Sequence, residues 1–266
     1  MNQLTDQEYL KEKQYKTASN LNARIQVHRR FSTNKQGLYP WIFEHLNLMT
    51  NSQILELGCG PGDIWLENLS NTPDDWKIIL SDLSVGMVQE AQINLRNITH
   101  RIHLTSCDAQ KLPYENDCFD AVMANFMLYH VPVRKMAISE IHRVLKPGGR
   151  LFAATHGINH MRVLRELMKR IDNKADMSSA GALFGLENGS DQLKQYFSEV
   201  IVNRYEDALE VTEVGPLVDY IRSSRQSVLG EEDSQRMEEI IRQEIERKGA
   251  FHITKDSGMF IATKHK

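Results

Sequence analysis

Between Ile54 and Trp65 the chain reads ILELGCGPGDIW, an apolar run broken by one acid, Glu56, and followed by glycine at positions 58, 60 and 62. Glycine has no Cβ, so such a turn lets the backbone approach a ligand where any side chain would collide. The helix that resumes at Asp63 presents unpaired N–H groups at its start. A strand, a glycine turn and a helix in this order imply a ligand of nucleoside type at the end of a strand. Any tight turn from strand to helix can use glycine, so the downstream spacing has to decide.

Downstream, short apolar runs alternate with helical periodicity. Residues 54–57, 77–81, 102–105, 119–124 and 150–155 read as strands, with helices over 63–71, 85–94 and 134–145 and a Lys146-Pro147-Gly148-Gly149 turn before the fifth strand. Alternating units of this kind fold as a parallel sheet with helices on both faces, and ligands bind beyond the carboxyl ends of the strands. Ahead of this core, residues 4–46 mix helical spacing with aromatic and basic side chains. Behind it, 156–172 reads as an amphipathic helix, 176–190 as a glycine-rich loop and 200–211 as an extended strand. Residues 231–248 form a charged helix, and 251–264 read as a β-hairpin turning at 255–258.

Of the 266 residues 41% are hydrophobic and 25% charged, enough apolar material for a sizeable core. A net charge of −3 gives no global pull toward phosphate backbones or anionic lipid, so no nucleic-acid partner is expected. The polar N-terminus lacks the apolar run of a secretory signal and no stretch is long enough to span a bilayer, which points to the cytoplasm. Cys59, Cys107 and Cys118 lack CxxC spacing and read as small core residues, so neither a disulfide frame nor a metal site is expected.

The acids carry the next step. Asp82 closes the second strand about 20 residues past the glycine turn, where a carboxylate can accept both hydroxyls of a ribose. Its alternative role is to cap the helix that follows, a role Ser84 could also fill. Asp108 stands at the tip of the third strand, within reach of an adenine edge, or else is a solvated turn residue. With Glu56, three acids at successive strand tips suit a ligand that combines a cationic amino-acid part, a ribose and an adenine. The turn is GxGxG rather than GxGxxG and no Tyr-x-x-x-Lys follows the fourth strand, which speaks against a dinucleotide oxidoreductase.

Taken in order, ILELGCGPG, SDLSVGMV, CDAQKLPYENDCFDAVMANFMLYHV and LKPGGRLFAAT resemble the successive motifs of class I S-adenosylmethionine-dependent methyltransferases. The branch that includes the ubiquinone/menaquinone C-methyltransferases is most similar, over about residues 50–156. The resemblance implies an α/β, doubly wound, Rossmann-like seven-stranded sheet with an antiparallel last strand. It also implies S-adenosyl-L-methionine as cofactor. It puts Glu56 near the methionine ammonium and Gly58, Cys59, Gly60 and Gly62 around the methionine carboxylate and ribose. Asp82 would take the ribose hydroxyls, Leu83 and Met87 would pack on adenine, Asp108 and Ala109 would meet its edge, and Asn125 and Phe126 would lie under the sulfonium.

The expected organisation is an N-terminal helical lid over 1–46, the cofactor core over 47–156, an inserted substrate or cap segment over 157–250 and a terminal β-hairpin over 251–266. Methyl transfer to an O, N or C atom of a small-molecule acceptor is the expected activity. Candidate bases are His130 and Tyr129 past the fourth strand and His28 from the N-terminal segment, with Tyr15 and Arg24 as candidate acceptor contacts. The alternative is a non-catalytic S-adenosylmethionine-binding sensor or scaffold that uses the charged helix at 231–248.

Overall fold

Among the described residues, nine strands divide between two sheets: β1 (Gln53–Leu57), β2 (Lys77–Asp82), β3 (Ile102–Ser106), β4 (Phe119–Met123), β5 (Leu145–His156), β6 (Glu199–Tyr205), β7 (Ala208–Val211), β8 (Phe251–Thr254) and β9 (Ser257–Thr263). The computed structural model describes residues 3–17, 19–97, 101–173, 178–224 and 230–265. The main sheet has the order β3-β2-β1-β4-β5-β9-β6. The first five strands are parallel, and β9 runs antiparallel between β5 and β6. Runs such as Ile54, Leu55 and Leu57 are buried on both faces, as parallel strands covered by helices require. Strand order reverses between β1 and β4, and the crevice at that point is where the site lies.

The C-terminal strands depart from the sequence reading. Residues 251–264 are no hairpin, because β8 pairs with β7 in a two-stranded sheet whereas β9 enters the main sheet. The expected single strand over 200–211 likewise splits at Glu206-Asp207. Both crossings lie side by side, and a buried ion pair between Lys255 and Asp207 ties them together. Residues 255–256 therefore carry the chain from one sheet to the other instead of turning it back.

Two further readings shift. The helix expected from 156 begins at Arg162, since β5 runs on to His156 and Met161 turns the chain at φ +53°. The start of the glycine-rich loop, 176–177, lies outside the described residues. Its described part contains a helix, Ala180–Leu183, and is closely packed: a Cβ on Gly181 would stand 2.7 Å from the Gly157 carbonyl carbon.

Short helical turns at Gln7–Tyr9 and Leu10–Gln14 precede the helix Ser19–Phe31. Val27 and Phe31 of that helix join a core of their own with β7, β8 and the helices Arg162–Ile171, Val214–Ser224 and Glu231–Lys248. Asp207 anchors the end of the helix, accepting from the Ser32 hydroxyl at 2.7 Å and the Asn34 N–H at 3.0 Å. The charged helix Glu231–Lys248 buries Met237 and Ile241 and leaves its charges outward.

Candidate functional site

A cavity of about 290 Å³ opens at the carboxyl ends of the central strands, and residues from the N-terminal segment close its other side. The glycine turn forms its floor. Gly58, Gly60 and Gly62 all have left-handed backbone, at φ +68°, +54° and +84°. Their surroundings differ. A Cβ on Gly60 would meet only Leu21 at 3.6 Å, an ordinary contact, whereas on Gly62 it would lie 2.7 Å from Leu95 Cδ1. Gly58, Cys59 and Gly60 line the cavity and Gly62 does not. Gly62 lets the turn pack on the end of the helix Val85–Asn94. Burial pushes the Cys59 thiol well up, so it is a protonated wall group.

The three acids converge on this cavity. Glu56 is 2% exposed and accepts from the Trp65 indole N–H at 2.6 Å and the Asn125 amide at 3.4 Å. Burial nevertheless pushes its carboxyl up to about 7, with a smaller push from the charge of Asp82. Asp82 accepts from the Gly60 N–H at 3.0 Å and the Ser84 N–H at 2.8 Å, bracing the β2 tip against the glycine turn. Ser84 is the helix cap, accepting from Met87 N at 3.4 Å, so the capping alternative for Asp82 falls away. Asp108 accepts from Gln110 N at 2.9 Å and from the Gln7 amide at 3.0 Å. Those bonds overcome burial and hold its carboxyl below the ordinary range. Leu83, Met87 and Ala109 line the cavity between Asp82 and Asp108.

Past β4, Asn125 and Phe126 form the opposite wall, Phe126 in left-handed backbone at φ +55°. That conformation is uncommon for an aromatic residue and is held here by the bond from Phe126 N to Ala154 O at 2.8 Å. The His130 ring links two parts of the chain. Its Nδ1 is 2.7 Å from the Leu4 carbonyl, which can only accept, so Nδ1 carries the proton and Nε2 accepts the Tyr15 hydroxyl at 3.1 Å. Burial, with help from Arg24, lowers His130 to about 4, and the ring is neutral at neutral pH. Tyr129 is buried with its phenol pushed well above 10, and it stacks 6.2 Å from His156. It lines the cavity wall with its phenol protonated.

His156, His160 and Tyr220 complete the lining beside His28 and Arg24, and the sequence reading did not single them out. HGINH, with histidines four apart at the end of β5, was the available signal for two of them. Tyr220 gave none. Gln7 was also missed, because nothing local connects it to Asp108.

Comparison with known proteins agrees with this geometry. Residues 54–149 match the family model described as a methyltransferase domain. A demethylmenaquinone methyltransferase of Lactiplantibacillus plantarum is 33% identical over 108 residues, covering 40% of this chain and 46% of the relative. A ubiquinone/menaquinone biosynthesis C-methyltransferase of Vibrio parahaemolyticus is 34% identical over 130 residues, covering 47% of this chain and 46% of the relative. The chain thus spans about half the length of the curated relatives it matches. Among solved structures, the Haemonchus contortus phosphoethanolamine N-methyltransferase 2 bound to S-adenosyl-L-methionine superposes with TM-score 0.62 at 18% identity, over 98% of this chain and 60% of that one. The YcgJ protein of Bacillus subtilis gives TM-score 0.60 at 14% identity, over 86% and 98%. At those identities the structures speak for the fold alone. Residues 54–149 thus carry a methyltransferase domain, and over that stretch the chain is similar to the ubiquinone/menaquinone C-methyltransferases, enzymes of the S-adenosylmethionine-dependent kind.

Proposed function

We propose that the protein transfers the methyl group of S-adenosylmethionine to an O, N or C atom of a small-molecule acceptor. One observation carries this reading: a single cavity joins the three strand-tip acids and the glycine turn to the Tyr15–His130 pair. The residues fit the cofactor. Glu56 is a buried carboxyl poised near neutrality, which a ligand ammonium would hold ionised. Gly60 leaves the space above the turn open, and Asp82, which accepts from backbone N–H groups of Gly60, Leu83 and Ser84, keeps lone-pair capacity for a ribose hydroxyl.

When bound, S-adenosylmethionine supplies an already activated methyl group, so the protein's work is to orient the acceptor, exclude water and handle a proton. Orientation of two reactants contributes about 7–11 kcal/mol. Closure comes from the N-terminal segment, residues 1–46, read as a lid. Its contacts cover both ends of the cavity: Gln7 on Asp108, the Tyr15 carbonyl accepting from the Ser84 hydroxyl at 2.8 Å, and Tyr15 on His130. An acceptor proton can pass to the Tyr15 oxygen as the Tyr15 hydroxyl proton moves to His130 Nε2. Because His130 is so weak a base, this relay suits an acceptor whose proton leaves late; an acceptor that needs no deprotonation would not use it.

Calorimetry with S-adenosylmethionine, S-adenosylhomocysteine and NAD should show binding of the first two only. Incubation of a metabolite pool with methyl-labelled cofactor should then yield a labelled product. Binding of NAD alone would end the methyltransferase reading, and cofactor binding without any product would favour a sensor or scaffold.

Glu56 makes the binding pH-dependent. Its pKa in the empty protein, about 7, lies above the ordinary 4.5, so the protonated form favours folding: the contribution is full below about pH 4.5 and is lost as pH rises through 7. A bound ammonium reverses the preference, and cofactor binding below pH 7 should expel a proton. Affinity is expected to fall as pH drops from 7 toward 5, by up to about tenfold per unit. Titration in two buffers of different ionisation enthalpy measures the proton directly. A pH-independent affinity, or a dependence that persists in Glu56→Gln, would remove Glu56 from the ammonium site.

A further inference from the structure

Beyond the Tyr15–His130 pair the cavity has a wall that the cofactor motifs leave unexplained. Arg24 and His28 stand on it one turn apart on the helix Ser19–Phe31, joined by Tyr220 from the helix Val214–Ser224 and by His156 and His160. The His28 ring meets Tyr220 edge-on with centroids 5.7 Å apart. Its Nδ1 is buried and meets no hydrogen-bond partner among the described residues. His156 and His160 stack at 3.8 Å. His160 Nδ1 accepts from the Asp256 N–H at 3.2 Å, which leaves its proton on Nε2.

Charge is distributed unevenly over the cavity. Burial, then the nearby cations and histidines, keeps His28, His156 and His160 neutral, and burial keeps the Tyr220 phenol protonated. Among the described residues on this wall, Arg24 is the side chain that carries formal charge. The carboxylates of the lining stand on the glycine turn and at the strand tips, with Glu56 bonded to Trp65, Asp63 to Arg29, Asp82 to Gly60 and Asp108 to Gln7. Arg24 sits over the Tyr15 ring at 5.8 Å and shares a hydrogen bond with Tyr15. A guanidinium has five N–H donors in a planar fork, enough to serve a tyrosine and a bidentate oxyanion together.

We propose that this wall seats an oxyanion group of the methyl acceptor, a carboxylate or a phosphate, with Arg24 as its ionic partner and His28 and Tyr220 as its hydrogen-bonding neighbours. The proposal rests on the methyl-transfer reading and narrows the acceptor to an anionic small molecule. The arrangement has a mechanistic use. An anion beside Arg24 offsets the positive field that helps to keep His130 unprotonated, so acceptor binding strengthens the base that Tyr15 addresses. The acceptor's own charge thus prepares the proton relay, and a neutral analogue forgoes that help.

The test uses the full chain saturated with S-adenosylhomocysteine and three probes: benzoate, benzamide of nearly the same shape without the charge, and inorganic phosphate. Calorimetry should show benzoate or phosphate binding at least about tenfold tighter than benzamide, as a charge-assisted pair predicts, and the better anion identifies carboxylate or phosphate. Arg24→Met should abolish the preference while S-adenosylhomocysteine affinity and Tm stay close to the parent, and Arg24→Lys should keep part of it. Benzamide binding as well as both anions, no anion binding at millimolar concentration, or a preference that survives Arg24→Met would overturn the seat. Failure of S-adenosylhomocysteine to bind, read before any probe is added, would overturn the cofactor reading beneath it.

Discussion

Gly62→Val is expected to unfold the protein at a markedly lower temperature, whereas Gly60→Val should leave it folded and unable to hold its cofactor. Both glycines have left-handed backbone, so either substitution costs about 1–2 kcal/mol in strain, more for a β-branched side chain. At Gly62 the new Cβ also lies 2.7 Å from Leu95, which is 1% exposed and has nowhere to move. Overpacking of that kind adds about 1–3 kcal/mol. At Gly60 the Cβ projects beside Leu21 with ordinary clearance, into the space the ligand needs. Thermal melts with and without S-adenosylhomocysteine separate the two effects: Gly62→Val should lower the ligand-free Tm by about 2–4 °C per kcal/mol, and Gly60→Val should lose the ligand-induced rise. If Gly60→Val keeps that rise, or Gly62→Val melts like the parent, the division of labour within the turn is wrong.

The same pair shows how far spacing alone can be read. Three glycines in a row of alternate positions signal a ligand-binding turn, but the distance from Gly62 to Leu95 is a long-range fact that no local pattern contains. β1 to β5 were legible because each carries apolar residues at strand spacing between helical or turn patterns, although β5 begins at Leu145 and takes in the turn expected at 146–149; the strand-tip acids were legible because a ligand of nucleoside type would span successive tips. The C-terminal strands were not. β8 and β9 are both short apolar runs, and only pairing with β7, β5 and β6 assigns them to different sheets. The buried Lys255–Asp207 pair that fixes the crossing joins residues far apart in the chain. His156, His160 and Tyr220 escaped for a related reason: each is unexceptional until the Ser19–Phe31 helix folds across the strand ends and brings Arg24 and His28 to them.

Removal of residues 1–17, or the single change Tyr15→Phe, should cost far more activity than stability. The deletion strips the Leu4 carbonyl and the Tyr15 hydroxyl from His130, Gln7 from Asp108 and the Tyr15 carbonyl from Ser84, and it opens the cavity to water. Against this it removes, among the described residues, one well-buried apolar side chain, Leu10, worth about 1.5–3 kcal/mol, while the main sheet and its two flanking cores are untouched. Tyr15→Phe is narrower, since the ring stays and only the hydroxyl leaves. If the acceptor gives up a proton in the methyl-transfer step, kcat should fall about 10²–10⁴-fold with cofactor affinity unchanged, the usual worth of a positioned acid–base group. His130→Phe should then fall by a similar factor, and the double variant by little more, because the two residues act as one relay. Additive losses would make Tyr15 and His130 independent contacts. Undiminished turnover in both single variants, with a loss in the deletion, would leave the segment its shielding role and take the proton relay away.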